Sequence, residues 1–176
     1  NFVHSLPLFP ISVALERKNE IVAAVTYNPI SDELFTAEKG AGAFLNNKRL
    51  RVANRADIHE ALVGCGIPHR GGEGQAEHRA ELALLQAKTI GLRRLGSATL
   101  DLAFVAAGRL DAFWERNLHP WDLAAGLLLV REAGGFTSDC DSEASPMQTG
   151  NIIAANADLL PLIKKELAAA KKVTGA

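Results

Sequence analysis

The chain is poor in the residues on which several protein classes depend. Its 176 residues contain two cysteines, one methionine, one tyrosine and two tryptophans. Cys65 and Cys140 are far apart in apolar or loop surroundings, without the paired spacing of a structural zinc site. We therefore expect two reduced thiols, and not a disulfide-stapled scaffold.

The chain also lacks a large excess of either positive or negative charge. The chain has 19 basic and 20 acidic residues, a net charge of −1, so no general attraction to nucleic acid is expected. No apolar run approaches the roughly 20 residues that span a bilayer. The opening residues, NFVHSLPLF, lack the basic start of a signal peptide. These absences favour a cytoplasmic protein whose main partner is neither nucleic acid nor a membrane.

Several common catalytic motifs are missing. The five histidines show no HxH or HExxH spacing, which disfavours a zinc enzyme, and no GxSxG motif marks a serine hydrolase. Cys65 has His69 nearby, but it falls within an apolar segment and is expected to be buried and inert. Residues 40–44, GAGAF, complete no P-loop or GxGxxG pattern, so bulges or turns are expected there.

The residues that are present can bury a sizeable core. A chain of this length with 48% hydrophobic residues can form one domain or two small ones. Residues 1–56 indicate an antiparallel meander, and residues 57–176 alternate strands with helices. We expect a mixed α+β and α/β fold, in which an antiparallel sheet is followed by a mixed sheet covered by helices. The two packed subdomains would meet near residues 54–58. Strands are expected at residues 9–16, 21–27, 33–38, 49–53, 61–66, 90–95, 110–114, 135–138 and 151–155, and helices at 77–88, 97–107, 120–133 and 158–171.

The chain is organised around residues 114–135, WERNLHPWDLAAGLLLVREAGG. Pro120 suits the first turn of a helix, and Gly134 and Gly135 favour a left-handed end. Asp122 then lies in the first turn, where free N–H groups and the helix dipole favour an anion. Its position alone leaves two interpretations open, a helix-capping residue and a ligand of a cation.

This stretch resembles the C-terminal signature of the inositol monophosphatase family. The resemblance extends through RRLGSATLDLAFVAAGRLDAFWE, NFVHSLPLFPISVALE and NIIAAN, and so covers nearly the whole chain. It implies a layered αβαβα sandwich of the sugar-phosphatase type. It also implies magnesium-dependent hydrolysis of a small sugar or polyol phosphate, with inositol monophosphate as the expected substrate. Fructose 1,6-bisphosphate and a nucleotide 3′-phosphate are the alternative substrates, and lithium inhibition and a homodimer are implied as well.

The resemblance also assigns roles to individual residues. Asp122 matches a magnesium ligand, and Glu115 matches a glutamate that accepts hydrogen bonds from hydroxyls of the polyol. Gly96, Ser97 and Ala98 match a turn that faces the sugar. Read without the resemblance, Glu115 is a solvated charge at a strand end and Ser97 is a helix cap. No side chain of this sequence is expected to act as a general acid or base.

The family pattern is incomplete in this sequence. In the family, the segment NFVHSLP directly follows a DPxDGT loop with two metal-binding aspartates, and a glutamate ligand lies further upstream. We therefore expect the sequence to be the C-terminal portion of such a protein, inactive by itself. A different class also stays open, namely a catalytically silent fragment or a non-catalytic interaction protein of the same fold. His69 and Arg70 receive no role, since their loop departs from the pattern of animal relatives.

Overall fold

The computed structural model describes residues 1–68 and 74–174, which form two five-stranded sheets. The first sheet is antiparallel, in the order β1 (Ile11–Arg17), β2 (Glu20–Asn28), β3 (Glu33–Glu38), β4 (Gly42–Leu45) and β5 (Lys48–Arg49). The second is mixed, in the order β7 (Gly91–Arg93), β6 (Leu62–Cys65), β8 (Ala112–Glu115), β10 (Ile152–Ala155) and β9 (Phe136–Ser138). The helices are α1 (Gln75–Lys88), α2 (Ala98–Ala106), α3 (Pro120–Glu132), α4 (Pro146–Thr149) and α5 (Leu159–Thr174), with 3-10 turns at Phe2–His4 and Ile58–Glu60.

The first sheet is a meander, as the sequence predicts. Lys18 and Asn19 both have positive φ and join β1 to β2 in a tight hairpin. Two expectations were wrong in detail. Residues 40–44 were expected to form turns or bulges; a turn is present at residues 40–41, but β4 begins at Gly42 and pairs with β3. The strand expected at 49–53 shrinks to β5, because the backbone N–H of Val52 leaves the sheet and donates to the carbonyl of Ala133.

The elements stack in four layers. Helices α2 and α3 pack on each other between the sheets, with α3 against β1, β2 and β3 and α2 against β8. Helices α1 and α5 cover the opposite face of the second sheet. The expected fold class, an antiparallel sheet followed by a mixed sheet with helices in layers, is confirmed. The subdomain boundary after residue 56 stays a prediction, since one core cluster joins Phe35 of the first sheet to Leu128 of α3.

Helix α3 has the ends that its sequence predicts. Pro120 occupies the first turn, and Gly134 follows the helix with φ of 86°. The N–H of Gly135 donates to the carbonyl of Val130, and that of Gly134 to Arg131, the pair of bonds of a Schellman end. No helix within the described ranges is both long and apolar enough to cross a membrane.

The topology of the second sheet creates a crevice at one edge. Strand β6 lies between β7 and β8 and runs parallel to both, so the carboxyl ends of the three strands meet. The chain leaves β6 for β7 on one side and then crosses to β8 on the other. In open α/β sheets such a reversal of strand order is where ligands usually bind.

Candidate active site

A cavity of about 390 Å³ opens at the carboxyl ends of β6, β7 and β8. Its lining comes from the strand ends, from the turn before α2 and from the first turn of α3. The lining residues are Pro10, Cys65, Gly66, Ile67, Arg94, Gly96, Ser97, Ala98, Thr99, Asp101, Glu115, Leu118 and Asp122. The structure therefore brings together every site residue that the sequence predicts, although their roles stay predictions.

Asp122 lies in the first turn of α3, as expected. Its Oδ2 accepts a hydrogen bond of 3.0 Å from the backbone N–H of His119, whose ring stacks on Trp121. This bond is the reciprocal half of a capping box. Within residues 1–68 and 74–174, Oδ1 has no protein donor. The two interpretations of Asp122 are compatible, because capping uses one carboxylate oxygen and leaves the other for a ligand.

The side chain of Asn1 holds the turn from Gly96 to Ala98 in place. Gly96 has a φ of 78°, and the Asn1 side-chain amide donates to the carbonyls of Leu95 and Gly96 at 3.1 and 3.2 Å. Ser97 occupies the N-cap position of α2, but its hydroxyl makes no capping hydrogen bond. The alternative reading of Ser97 as a helix cap is thus correct for its position but not for its side chain. Its hydroxyl is left available to a ligand beside the unpaired N–H groups of the first helical turn.

Glu115 is the last residue of β8 and is partly buried. Its carboxyl group lies against Gly66, where a Cβ would overlap it. Burial, followed by the negative charge of Asp122, raises the pKa of Glu115 to about 7. This environment excludes the reading of Glu115 as an ordinary solvated charge at a strand end.

Asp101, which the sequence analysis did not identify, also lines the cavity. It is in the first half of α2, is 1% exposed, and its buried Oδ1 has no hydrogen-bond partner among the residues that the structure describes. Burial and the charge of Glu115 raise its pKa to about 8. A signal was present in the sequence. Asp101 is the one acidic residue in the run TLDLAFVAA, which is otherwise apolar apart from its first residue and has no polar face to carry an aspartate.

The lining carries more acidic than basic groups. Asp101, Glu115 and Asp122 face a single basic side chain, Arg94, among the lining residues that the structure describes. Cys65 is buried, as expected, and burial raises the pKa of its thiol to about 12, so that the thiol stays protonated. No three His, Cys, Asp or Glu side chains in the described residues converge as a metal centre. Asp122 could contribute to such a centre but does not complete one within this chain.

The end of β8 is held in place by buried charges that the sequence analysis also missed. The fully buried carboxylate of Glu81 accepts hydrogen bonds from Trp114 Nε1 at 3.1 Å and from Arg116 Nη2 at 2.7 Å. Arg116 also donates to Asp141 at 2.6 Å. This network ties α1 to the residues on both sides of Glu115. His69 and Arg70 lie outside the described residues.

Comparison with known proteins gives a consistent result. The model of the inositol monophosphatase family matches residues 1–173. An inositol-1-monophosphatase of Mesorhizobium japonicum is 52% identical over 173 residues, which cover 96% of this chain and 65% of that protein. A Nus factor SuhB of Pseudomonas aeruginosa is 45% identical over 158 residues, with coverages of 89% and 58%. The crystal structure of the extragenic suppressor protein suhB from Bartonella henselae superposes with a TM-score of 0.92 at 48% identity, covering 95% of this chain and 65% of that one. The chain thus spans less than two thirds of the length of each of these three proteins.

Proposed function

Because this chain belongs to the inositol monophosphatase family, we propose that the complete protein hydrolyses a phosphate monoester of a small sugar or polyol, with inositol monophosphate as the expected substrate. One observation carries the proposal. Glu115, the Gly96–Ala98 turn and Asp122 come from three separate segments and line one acidic cavity. A relative named inositol-1-monophosphatase, 52% identical to this chain, supports the same substrate class.

The donor set of the cavity fits a hard divalent cation such as Mg²⁺. Asp122 offers a carboxylate oxygen that no described residue occupies, and the lining has more carboxyl groups than its one arginine can balance. Magnesium prefers oxygen ligands and is commonly held by one or two carboxylates together with substrate phosphate and water. We infer that Asp122 is one magnesium ligand of the complete protein. When bound, the metal would supply Lewis-acid stabilisation of the phosphate oxygens and a more acidic water.

The chain's own residues would hold the alcohol part of the substrate. Glu115, seated against Gly66, would accept hydrogen bonds from polyol hydroxyls. Ser97 would contribute its uncapped hydroxyl, and the free N–H groups at the start of α2 would face the same ring. These contacts would fix the ester relative to Asp122, so that the reacting phosphorus lies on the metal side of the cavity.

The proposal is tested on the complete protein by measuring phosphate release. Inositol monophosphate, fructose 1,6-bisphosphate and a nucleotide 3′-phosphate are compared with added Mg²⁺ and with a chelator. We expect magnesium-dependent release that is fastest with inositol monophosphate. Faster release from one of the other esters would reassign the substrate, and absence of magnesium-dependent release from all three would refute the enzyme.

A non-catalytic interaction role is the second candidate, and one comparison favours it. The relative from Pseudomonas aeruginosa is named a Nus factor and not a phosphatase. The Asp122→Asn variant separates the two functions, because a binding surface elsewhere on the molecule would not need this carboxylate. The name of that relative and the presence of Glu115, Ser97 and Asp122 in one cavity are compatible with a protein that has both roles.

Two further features of the proposal rest on the family resemblance alone. The complete protein is expected to be a homodimer and to lose activity in the presence of lithium. Sedimentation of the purified protein and phosphate release with lithium and potassium salts at equal ionic strength test these two features.

A further inference from the structure

Glu115, the last residue of β8, lies where the hydrogen-bond ladder of the second sheet ends. The pairing with β6 ends at Trp114, whose carbonyl accepts a hydrogen bond from the N–H of Gly66. The pairing with β10 ends at Glu115 itself, opposite Ile152. Strand ends fray readily because they have few ladder bonds. A carboxyl group that must meet particular hydroxyl groups therefore needs a support other than the ladder.

The two neighbours of Glu115 can supply that support from the opposite face of the sheet. Side chains alternate along a strand, so Glu115 lines the cavity while Trp114 points away from it. Trp114 is fully buried in the core cluster that includes Leu85 of α1. Arg116 turns to the same side, and its side chain is 9% exposed. Both neighbours can thus be held by α1 without any loss of space in the cavity.

One carboxylate of α1, that of Glu81, binds both neighbours. Its Oε2 accepts a hydrogen bond of 3.1 Å from Trp114 Nε1. Its Oε1 accepts from Nε and Nη2 of Arg116 at 2.8 and 2.7 Å. The third nitrogen of the guanidinium, Nη1, donates to Asp141 at 2.6 Å, so the arginine is held from two sides. Glu81 is fully buried, and charge-assisted hydrogen bonds in such surroundings are strong and directional.

Stability alone is a weak explanation for this buried ion pair. The attraction between Glu81 and Arg116 has to offset the loss of hydration of both charges. Two apolar side chains of similar volume often make a protein as stable or more stable. The ion pair differs from an apolar pair in its fixed geometry, because the planar guanidinium accepts only a few arrangements of its partners. That geometry connects α1 to the backbone on each side of Glu115.

We propose that Glu81 and Arg116 are positioning residues for Glu115. Their ion pair fixes the carboxylate that receives the hydroxyl groups of the substrate, and it thereby sets a preference for polyol esters over esters without hydroxyl groups. The inference rests on the proposed function, in which Glu115 accepts hydrogen bonds from those hydroxyls. Neither residue belongs to the described lining of the cavity, so both act through Glu115 and not on the substrate.

The kinetic test compares two substrates of the complete protein, inositol monophosphate and 4-nitrophenyl phosphate, an aryl ester without hydroxyl groups. Glu81→Gln keeps the size of the side chain but removes its charge. Its kcat/KM for inositol monophosphate should fall about tenfold, mainly through KM, at an unchanged magnesium requirement. Its kcat/KM for the aryl ester should stay within about twofold of the wild type. Arg116→Lys, which cannot reproduce the fork of donors, should have the same selective effect.

A double-mutant cycle shows whether the effect passes through Glu115. In a Glu115→Gln background, the further loss from Glu81→Gln should be less than about twofold, because the carboxylate that Glu81 positions is already gone. Losses that multiply independently would overturn the inference, since Glu81 would then act on another part of the protein.

Two controls separate positioning from stability. Glu166→Gln is the matched control, because Glu166 is also buried and accepts from Lys88 at 2.8 Å, but this pair joins α1 to α5. It should lower the melting temperature and leave kcat/KM for both esters unchanged. The double variant Glu81→Met and Arg116→Met fills the same space with apolar chains, so it should stay folded and still lose the preference for inositol monophosphate. A folded double variant with wild-type selectivity would contradict the proposal.

Hydrogen exchange supplies a measurement that does not depend on catalysis. Peptides that cover residues 112–118 should exchange faster in Glu81→Gln than in the wild type, and Glu166→Gln should match the wild type there. Equal exchange in Glu81→Gln and the wild type would overturn the inference even in an active enzyme. A wild-type protein that releases no phosphate from any ester would instead refute the proposed function, and the exchange rates would still decide whether the ion pair holds the end of β8.

Discussion

At Asp122 the capping and metal-binding interpretations use different oxygens of one carboxylate, so a substitution can separate them. Asparagine caps helices about as well as aspartate and can still accept the His119 N–H. Its lost charge, however, should greatly weaken a hard-cation site. We expect Asp122→Asn in the complete protein to stay folded and to lose nearly all phosphatase activity.

Thermal melting with and without Mg²⁺ checks the cause of that loss. A cation that binds only the folded protein raises its melting temperature by mass action, and Asp122→Asn should show none of this increase. Asp158→Asn, an exposed residue before α5, is a suitable surface control. Near-normal activity in Asp122→Asn would reduce Asp122 to a helix cap.

Glu115 is predicted to bind hydroxyl groups of the substrate and not to ligate the metal ion. Glu115→Gln keeps the size of the side chain but replaces one acceptor oxygen with a donor. The loss of a matched hydroxyl partner should cost about 1–3 kcal/mol in kcat/KM, with little change in the Mg²⁺ concentration that gives half-maximal activity. A large increase in that concentration would place Glu115 among the metal ligands instead.

At the scale of elements, the contact between α2 and α3 aligns the two helices that carry Asp101 and Asp122. Gly126 allows this close contact, because a Cβ there would overlap the Leu102 side chain. Alanine has a better helix propensity than glycine by about 1 kcal/mol, but overpacking a buried contact costs about 1–3 kcal/mol. We expect Gly126→Ala to lower the free energy of unfolding despite the gain in propensity.

Urea denaturation of the complete protein measures this change, and Gly91→Ala is the matched control. At Gly91 the nearest atom to a new Cβ is the end of the flexible Arg93 side chain, so the cost should be small. A stabilised Gly126→Ala variant would show that the helices can separate without loss.

Elements with strong local signals could be predicted from the sequence, and the others could not. Helix α3 has proline in its first turn and glycines after its end, so its bounds agree with the expectation to within one residue. Strand β4 was missed because two glycines in GAGAF suggested only turns, whereas pairing with β3 decides the outcome. In β1 the alternation was correct, but the large apolar residues Ile11, Val13 and Leu15 face outwards, which no single-strand pattern reveals.

Only the site residues that belong to a recognisable sequence motif were predicted. Glu115, Asp122 and the Gly96–Ala98 turn belong to recognisable sequence runs, and the structure gathers them in one cavity. Asp101 can be noticed in the sequence as a lone acid in an apolar run, but the part that Gly66 plays is visible only once β6 and β8 are packed side by side. Their relation to Glu115 is a product of the parallel strand order, which places distant segments at one sheet edge.

At the scale of the whole molecule, strand β1 of the first sheet exposes large apolar side chains on its outer side. Ile11, Val13 and Leu15 on its outer side are 61%, 62% and 59% exposed. Contiguous apolar surface of this kind favours association in water. Studies of the 176-residue chain by itself therefore call for dilute protein and a measured association state.

The 176-residue chain also offers the clearest comparison with the complete protein. Within its described residues no three ligand side chains form a metal centre, and Asp122 is the one proposed ligand. Magnesium gives up its water reluctantly, so one carboxylate should bind it only weakly. We expect the folded chain, checked by circular dichroism, to show no rise in melting temperature in about 5 mM Mg²⁺ and no phosphate release. The chain carrying Asp122→Asn should melt in the same way with and without the metal. A rise in the wild-type chain that Asp122→Asn abolishes would mean that these 176 residues hold a working cation site, so that magnesium binding would not require any further part of the protein.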